Sequence, residues 1–351
     1  MVSLFGNKNA GWVGVDIGSS SVKLVSLSQH GRDYQVDAYA VVPLPPSAVV
    51  DGTVENQGEV SDAIERGLKI CGNKLKHAVV AVPSSAVITK RLEISNAFSD
   101  LELEEQVKIE ADQFIPYALD EVALDFEVVG PVEHHPTLNE ILLVACRRDD
   151  VSSREEAVNG AQLQCEIVDV DTFVMERLLP LLEGYTPEAL IGLVDIGAST
   201  LTLNVFRGGK IIYNREQAFG GNELTNAIHQ QYGLEVSEVE QKLRNGSLDE
   251  EIVEMLVMPF RQSVIQQVSR ALQFFYSSGA QNQLSELYLA GGTAGIGGLA
   301  ELMQEEIGVP AKVVNPFSTI RVGPRLNQDR LINDAPMLAK ACGLALRSFD
   351  R

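Results

Sequence analysis

Two short stretches of this sequence carry residues that could hold phosphate groups. The first is VDIGSSSVKL at 15–24, and the second is VDIGASTLTL at 194–203. Each predicts a strand, a tight turn rich in small hydroxyl residues and a second strand. The glycine lets the backbone approach a ligand closely, and the hydroxyl run adds donors, so the turn can form a concave site for phosphate oxygens. The aspartate beside it can orient a hydrated Mg²⁺, which binds phosphates through few protein ligands.

One such stretch alone indicates little, because Asp-x-Gly is a common β-turn sequence. Two copies indicate two similar halves that face one polyphosphate. We therefore predict that both turns contact phosphate, and that Asp16 and Asp195 orient the metal. The predicted phosphate-binding residues are Asp16, Gly18, Ser19, Ser20, Ser21, Lys23, Asp195, Gly197, Ala198, Ser199 and Thr200.

A third segment has a different character. Residues 286–290, ELYLA, predict a buried strand, the glycine-rich run GGTAG follows at 291–295, and a helix is expected from about 298 to 306. A glycine turn between a strand and a helix lets a flat base and its ribose lie against the backbone. Gly291, Gly292 and Thr293 are therefore predicted to contact a nucleoside.

In this order, the three segments resemble the phosphate-1, phosphate-2 and adenosine motifs of the actin-like ATPase superfamily, which includes actin, Hsp70 and the sugar kinases. The resemblance implies an α/β, actin-like (ribonuclease H-like) two-domain fold, with duplicated sheet-and-helix halves and ATP with Mg²⁺ between them. The expected first half spans 1–83, joined by 166–186 and a C-terminal helix. An inserted α/β subdomain is expected at 84–165, and the second half at 187–351.

The inserted segment narrows the resemblance. The runs IEADQFIPY at 109–117 and EVALDF at 121–126, together with the first phosphate turn, resemble the PilM family of type IV pilus assembly proteins. That resemblance implies an ATP-binding scaffold with slow or negligible hydrolysis, which supports pilus biogenesis and twitching motility. It also implies a groove, beside the inserted subdomain, for the cytoplasmic N-terminal tail of the inner-membrane protein PilN. PilO and PilP would be reached indirectly, and self-association is left open.

Further site residues follow from the actin-like resemblance. The segment that joins the halves, a strand at 166–171 before a helix at 172–183, passes near the γ-phosphate in this fold. Asp169 is the catalytic candidate for positioning water; Asp171 is the alternative, and fits equally well as the helix N-cap. Glu223, after a Gly-Gly turn, is the candidate for the ribose or simply a surface carboxylate. Leu243 stands where the family pattern around the adenosine has a lysine.

The bulk properties exclude several classes. A net charge of −20 over 351 residues argues against nucleic-acid binding and against charge-driven adhesion to anionic lipid. The four scattered cysteines have no metal-ligand spacing and favour a reducing compartment. Neither a signal peptide nor an apolar run long enough to span a bilayer is seen. We therefore expect a cytoplasmic protein that reaches the inner membrane only through protein partners, without direct insertion.

Two other functions on the same fold remain as alternatives. A small-molecule kinase would need an acidic general base in a substrate cleft and a substrate domain larger than the insert. A filament-forming homologue of the cell-division type would need repeated self-association. A P-loop ATPase is excluded, because the sequence has no G-x-x-x-x-G-K-[ST].

Overall fold

The computed structural model describes residues 10–72, 75–279 and 283–350. This part of the chain contains both strands and helices. The strands are β1 (Ala10–Ile17), β2 (Ser21–His30), β3 (Asp33–Pro43), β4 (Val49–Val50), β5 (Thr53–Val54), β6 (His77–Val82), β7 (Val87–Ser95), β8 (Val122–Val132), β9 (His135–Arg147), β10 (Gln164–Val170), β11 (Ile191–Ile196), β12 (Leu201–Arg207), β13 (Lys210–Gln217), β14 (Glu286–Ala290), β15 (Ala311–Val313) and β16 (Arg321–Val322). The helices are α1 (Gln57–Cys71), α2 (Asp100–Asp112), α3 (Arg148–Gly160), α4 (Asp171–Glu176), α5 (Asn222–Tyr232), α6 (Val236–Asn245), α7 (Glu250–Ile252), α8 (Met258–Ser277), α9 (Leu299–Ile307), α10 (Gln328–Asp334) and α11 (Ala339–Leu346).

Two sheets repeat the same arrangement. The first has the order β10-β6-β1-β2-β3 with β16 added at its edge, and the second has the order β15-β14-β11-β12-β13. In each, three antiparallel strands form a meander, and two strands pair in parallel beside the first strand of that meander. The duplicated halves predicted from the two similar turns are therefore present.

The first sheet is covered on both faces, and its sequence shows why. β6 is almost entirely apolar, HAVVAV, as expected for a central strand that pairs in parallel and is buried on both sides. The α1 helix covers one face: Asn56 caps its first turn by accepting a hydrogen bond from the Glu59 amide, and it ends at Gly72 with a φ of 59°. The other face is covered by α11, which packs on β1 and β2.

The inserted subdomain is smaller than the sequence predicts. An antiparallel sheet, β7-β9-β8, and α2 enclose a separate core that includes Ile94, Val107 and Ile141. The α3 helix instead packs into the core of the first half, where Ala157 and Val158 join the α1 side chains. The separate body thus covers about 87–147 rather than 84–165. α3 was not predicted, because its sequence RDDVSSREEAVNG has too few apolar residues to show a helical period.

The segment that joins the halves also differs from the expectation. The predicted helix 172–183 is only α4, Asp171–Glu176, followed by a 3-10 turn at Leu179–Leu181. Pro180 explains the early end, since proline lacks the amide hydrogen and disfavours helical geometry in the residue before it. Leu179 in this turn belongs to an apolar core that also contains residues of both sheets, among them Val25 and Ile191.

None of the helices within the described residues has both the length and the apolar character that crossing a bilayer requires.

A close approach of a helix to the sheet in the first half depends on a glycine. A Cβ at Gly14 would lie 2.5 Å from the backbone nitrogen of Ala345 and would overlap the carbonyl oxygen of Ala341. The backbone of α11 therefore lies directly on β1, with no room for a side chain between them.

We expect Gly14→Ala to lower the free energy of unfolding by about 1–3 kcal/mol, because α11 must move away from β1 to admit one methyl group. Gly58→Ala is the matched control, since a Cβ there meets only the Asn56 side chain at 3.5 Å. Urea unfolding of both variants measures the difference. Equal stability of the two variants would contradict the close approach of α11.

Candidate functional site

A cavity of about 330 Å³ lies between the two halves, at the ends of β1 and β11. It is lined by both predicted phosphate turns and by the glycine turn that follows β14. The structure brings together, along its wall, Asp16, Gly18, Ser19, Ser20, Ser21, Lys23, Asp195, Gly197, Ala198, Ser199, Thr200, Gly291, Gly292 and Thr293. The fold thus brings the three predicted segments together at one cleft, and other segments complete the wall.

The two phosphate turns have the same backbone geometry and touch each other. The Gly18 amide donates to the Ser21 carbonyl at 3.1 Å, and the Gly197 amide donates to the Thr200 carbonyl at 2.8 Å. Across the cleft, the Ser199 hydroxyl donates to the Ser19 hydroxyl at 2.9 Å. The glycine amides therefore close their turns, and hydroxyl groups of the two turns meet between the halves.

The second turn is held from behind by close backbone contacts. The Gly221 amide and the Thr293 hydroxyl both donate to the Gly197 carbonyl, each at 3.0 Å. A Cβ at Gly220 would lie 2.5 Å from the Ala198 carbonyl oxygen. The Gly-Gly pair before α5 is thus required for packing against the phosphate turn, which fixes the position of that turn.

The glycines after β14 have different roles. Gly291 has a φ of 91°, and a Cβ there would lie 2.6 Å from Oδ1 of Asp195, so only glycine fits. At Gly292 the nearest atom to a Cβ is Cβ of Met337, at 4.0 Å. Gly291 therefore shapes the backbone, whereas Gly292 leaves open the space in front of it.

Two lysines neutralise the carboxylates of the cleft. Lys23 lies 3.2 Å from Asp16 in the first turn. Lys340, from α11, lies 2.9 Å from Asp171 and 3.3 Å from Asp195. One ammonium group thus joins a carboxylate at the start of α4 to the carboxylate of the second phosphate turn.

The ionisation of these groups follows from burial and from each other's charge. Burial lowers the pKa of Lys340, but Asp171 and Asp195 outweigh that effect and hold its pKa well above the ordinary value. Burial raises the pKa of Asp16, but Lys23 and Lys340 outweigh it, so the net shift is downward. Lys340 and Asp16 are therefore both charged at neutral pH.

The structure does not place Asp169 in the cavity. Its carboxylate lies 3.2 Å from Arg347 and 3.6 Å from Arg177, in an ion-pair cluster outside the cavity. Asp171, two residues on, lines the cavity instead. The reason is the change from strand to helix, because β10 ends at Val170 and α4 begins at Asp171. The side chains of Asp169 and Asp171 therefore do not lie on the same face, as they would in a continuous strand. Asp171 is also not the N-cap of α4, which is Val170.

Glu223 is likewise outside the cavity. It is exposed in the first turn of α5, while its neighbour Asn222 lines the cleft. The nearby α6 helix contributes Glu240, Leu243 and Arg244 to the wall. Leu243 thus occupies the expected lysine position at the site, with Arg244 beside it.

Sequence reasoning missed five charged residues of the cavity wall: Arg154, Glu216, Arg330, Asp334 and Lys340. Arg154 on α3 is only 4% exposed, and its guanidinium donates to the Gly52 carbonyl. Burial raises the pKa of the Glu216 carboxyl on β13. Lys340 had a usable signal, because it is the one charged residue in the apolar run APMLAKACGLAL at 335–346.

The carboxylates of the site could orient a hydrated divalent ion, but they do not form a complete coordination site for it. The described residues contain no group of three or more His, Cys, Asp or Glu side chains arranged to hold a metal. Asp16 and Asp195 fit the looser role of orienting the waters of an ion that phosphates carry, which suits Mg²⁺. Both already face a lysine, so the ion would share them with Lys23 and Lys340.

The structure is similar to solved structures of known proteins. It matches a chain described as "PilM-PilN type IV pilus biogenesis complex" with a TM-score of 0.80 and 29% identity, covering 97% of this chain and 99% of that one. It also matches the ethanolamine utilization protein EutJ from Carboxydothermus hydrogenoformans with a TM-score of 0.55 and 18% identity, covering 95% and 89% of the two chains. The fold is the actin-like α/β fold predicted from the three motifs.

Comparison of the sequence with a family model identifies the family. The model of the family described as "Type IV pilus assembly protein PilM" matches residues 14–349, from β1 to the turn after α11. This match and the structural similarity agree over nearly the whole chain, including the insert whose motifs carried the resemblance. The chain belongs to the PilM family of type IV pilus assembly proteins.

Proposed function

We propose that this protein is the ATP-binding actin-like component of a type IV pilus assembly complex, and that it binds the cytoplasmic N-terminal tail of PilN. The observation that carries the nucleotide part is the cavity itself, in which two hydroxyl-rich turns and two lysines converge from both halves. The family supports the pilus part. Through PilN the protein would lie at the inner membrane, with PilO and PilP as indirect partners.

In this proposal each part of the nucleotide contacts a different part of the cavity wall. The phosphates lie between the two turns, where Lys23 adds a charge-assisted donor. The base lies over the open space at Gly292, beside Met337 and Arg244. Asn222 and Glu240 replace Glu223 as the candidate ribose contacts, because they line the cleft and Glu223 does not.

Slow hydrolysis is consistent with the charges around the γ-phosphate position. Asp171 replaces Asp169 as the residue that could position water, since it faces the cavity. Its carboxylate accepts a hydrogen bond from Lys340 at 2.9 Å, so that this contact would have to loosen before Asp171 could position water. When bound, Mg²⁺ would neutralise phosphate charge. Steady turnover above roughly 1 s⁻¹, the low end of ordinary enzymes, would count against this scaffold role.

The insert supports the partner proposal through its surface. Three apolar side chains on and just before α2 are exposed to solvent: Phe98, Leu101 and Ile109. An apolar tail that docks between this subdomain and the first half could bury them, with backbone hydrogen bonds for affinity and side-chain pockets for specificity. The similar solved chain belongs to a complex with PilN, which indicates the partner class.

Gly292→Arg is expected to weaken ATP binding by about tenfold or more, equivalent to about 1.4 kcal/mol, because its side chain would occupy the space assigned to the base. The melting temperature without ATP should stay within a few degrees of wild type, since a Cβ at this position has room. Titration calorimetry and thermal unfolding measure the two effects. Gly292→Ala is the control and should bind normally; retained affinity in Gly292→Arg would refute the assigned place of the base.

Asp16→Asn and Asp195→Asn should each reduce the difference between ATP affinity in Mg²⁺ and ATP affinity in EDTA. Each change removes one of the two carboxylates that would orient the waters of the ion. The measurement is the dissociation constant of each variant under both conditions, with Glu223→Gln as the exposed control. An unchanged Mg²⁺ effect in both cleft variants would show that these carboxylates do not orient the ion.

A peptide of the first dozen or so residues of PilN should bind the full chain, and the double variant Leu101→Glu, Ile109→Glu should weaken that binding. Ile70→Glu is the matched control, because Ile70 is 67% exposed on α1, outside the insert. Fluorescence anisotropy of the labelled peptide gives the affinities. No binding to the wild-type chain, with or without Mg·ATP, would remove the partner proposal.

A further inference from the structure

The carboxylates at the phosphate position already have a protein cation between them. Asp171 and Asp195 lie on different halves of the cleft, and Lys340 contacts both, at 2.9 and 3.3 Å. Asp16 also lies close enough to raise the pKa of Lys340. A single protein cation thus joins Asp171 to Asp195, one of the two carboxylates proposed to orient a hydrated metal.

The position of Lys340 is fixed by its helix. Its neighbours along α11 are buried apolar residues, among them Ala339, Ala341 and Cys342. The same helix packs directly on β1 at Gly14, with no side chain between. The ammonium group therefore extends from a rigid support, so that a polyphosphate meets a cation already in place.

The charge balance of the cleft depends on this lysine. Four carboxylates gather at this end of the cavity: Asp16, Asp171, Asp195 and Glu216. The cations near them are Lys23, Arg154 and Lys340. Without Lys340, the carboxylates would repel both one another and an incoming triphosphate, unless a divalent ion neutralised them.

We propose that Lys340 is a built-in cation that takes over part of the role of the divalent metal, so that this site binds a nucleoside triphosphate with only a weak requirement for Mg²⁺. The terminal phosphate contacts the ammonium group of Lys340, which then exchanges part of its contact with Asp195 for contact with phosphate oxygen. This inference rests on the proposed nucleotide binding and adds how the site neutralises its ligand.

The test uses the full chain and the variant Lys340→Met, which keeps most of the side-chain volume and removes the charge. In wild type, ATP affinity should fall by no more than about tenfold when EDTA replaces Mg²⁺. In Lys340→Met the same replacement should abolish measurable binding, while binding in Mg²⁺ persists. Lys340→Arg should restore the weak Mg²⁺ requirement, and Lys69→Met, at an exposed lysine on α1, should behave as wild type.

A second measurement needs no nucleotide. MgCl₂ alone should raise the melting temperature of Lys340→Met, because the ion replaces the missing charge, and should leave wild type unchanged. If Lys340→Met does not fold, the double variant Lys340→Met, Asp171→Asn removes one carboxylate with the lysine and is measured instead.

The outcomes separate the two proposals. Wild type that binds no ATP under any condition, while MgCl₂ stabilises only Lys340→Met, would refute nucleotide binding and support Lys340 as the cation in place of the metal. An equal Mg²⁺ requirement in wild type and Lys340→Met, with no response of the variant to MgCl₂ alone, would overturn the inference about Lys340.

Discussion

The arrangement of the cleft depends on one partly buried positive charge. An ammonium group that loses part of its hydration is stabilised by carboxylates, and Lys340, whose side chain is 20% exposed, finds them on both halves of the molecule. Asp171 and Asp195 must therefore keep a fixed separation, which sets how the β11 turn faces the start of α4. The cleft is held at a defined width by the same charges that would receive a polyphosphate.

The surrounding scaffold supports this arrangement through close backbone contacts at glycines. The second phosphate turn cannot shift, because Gly220 and Gly291 bring neighbouring backbone to within contact distance behind it. The Ser19–Ser199 hydrogen bond then aligns the first turn with the second. A site that is rigid before its ligand arrives loses little entropy on binding, which favours affinity.

The sequence predicts well those features that depend on local geometry. Each phosphate turn is a short strand–turn–strand unit whose residues are neighbours in the chain, and its members meet in the structure as expected. The predictions for Asp169 and Glu223 differ from the structure because direction changes within two residues at the end of a strand or the start of a helix. A sequence pattern locates the end of a strand or the start of a helix only to within one or two residues.

Other parts of the site could not be predicted because they come from distant segments. Arg154 and Lys340 reach the cavity from α3 and α11, and neither lies near a recognisable motif. Only the packing of those helices on the first sheet brings their side chains to the cleft. The isolated lysine in an apolar run was the one signal available, and it indicates a buried partner without saying which.

The return of α11 and β16 to the first sheet has a consequence for biosynthesis. Tyr39 donates a hydrogen bond to Asp334, 295 positions later in the chain, and β16 pairs with β3. During translation, β1 to β3 would emerge long before the segment that covers their second face. The apolar face would remain uncovered until the ribosome had made most of the protein, so the first half is completed late, and nascent chains would be candidates for chaperone protection.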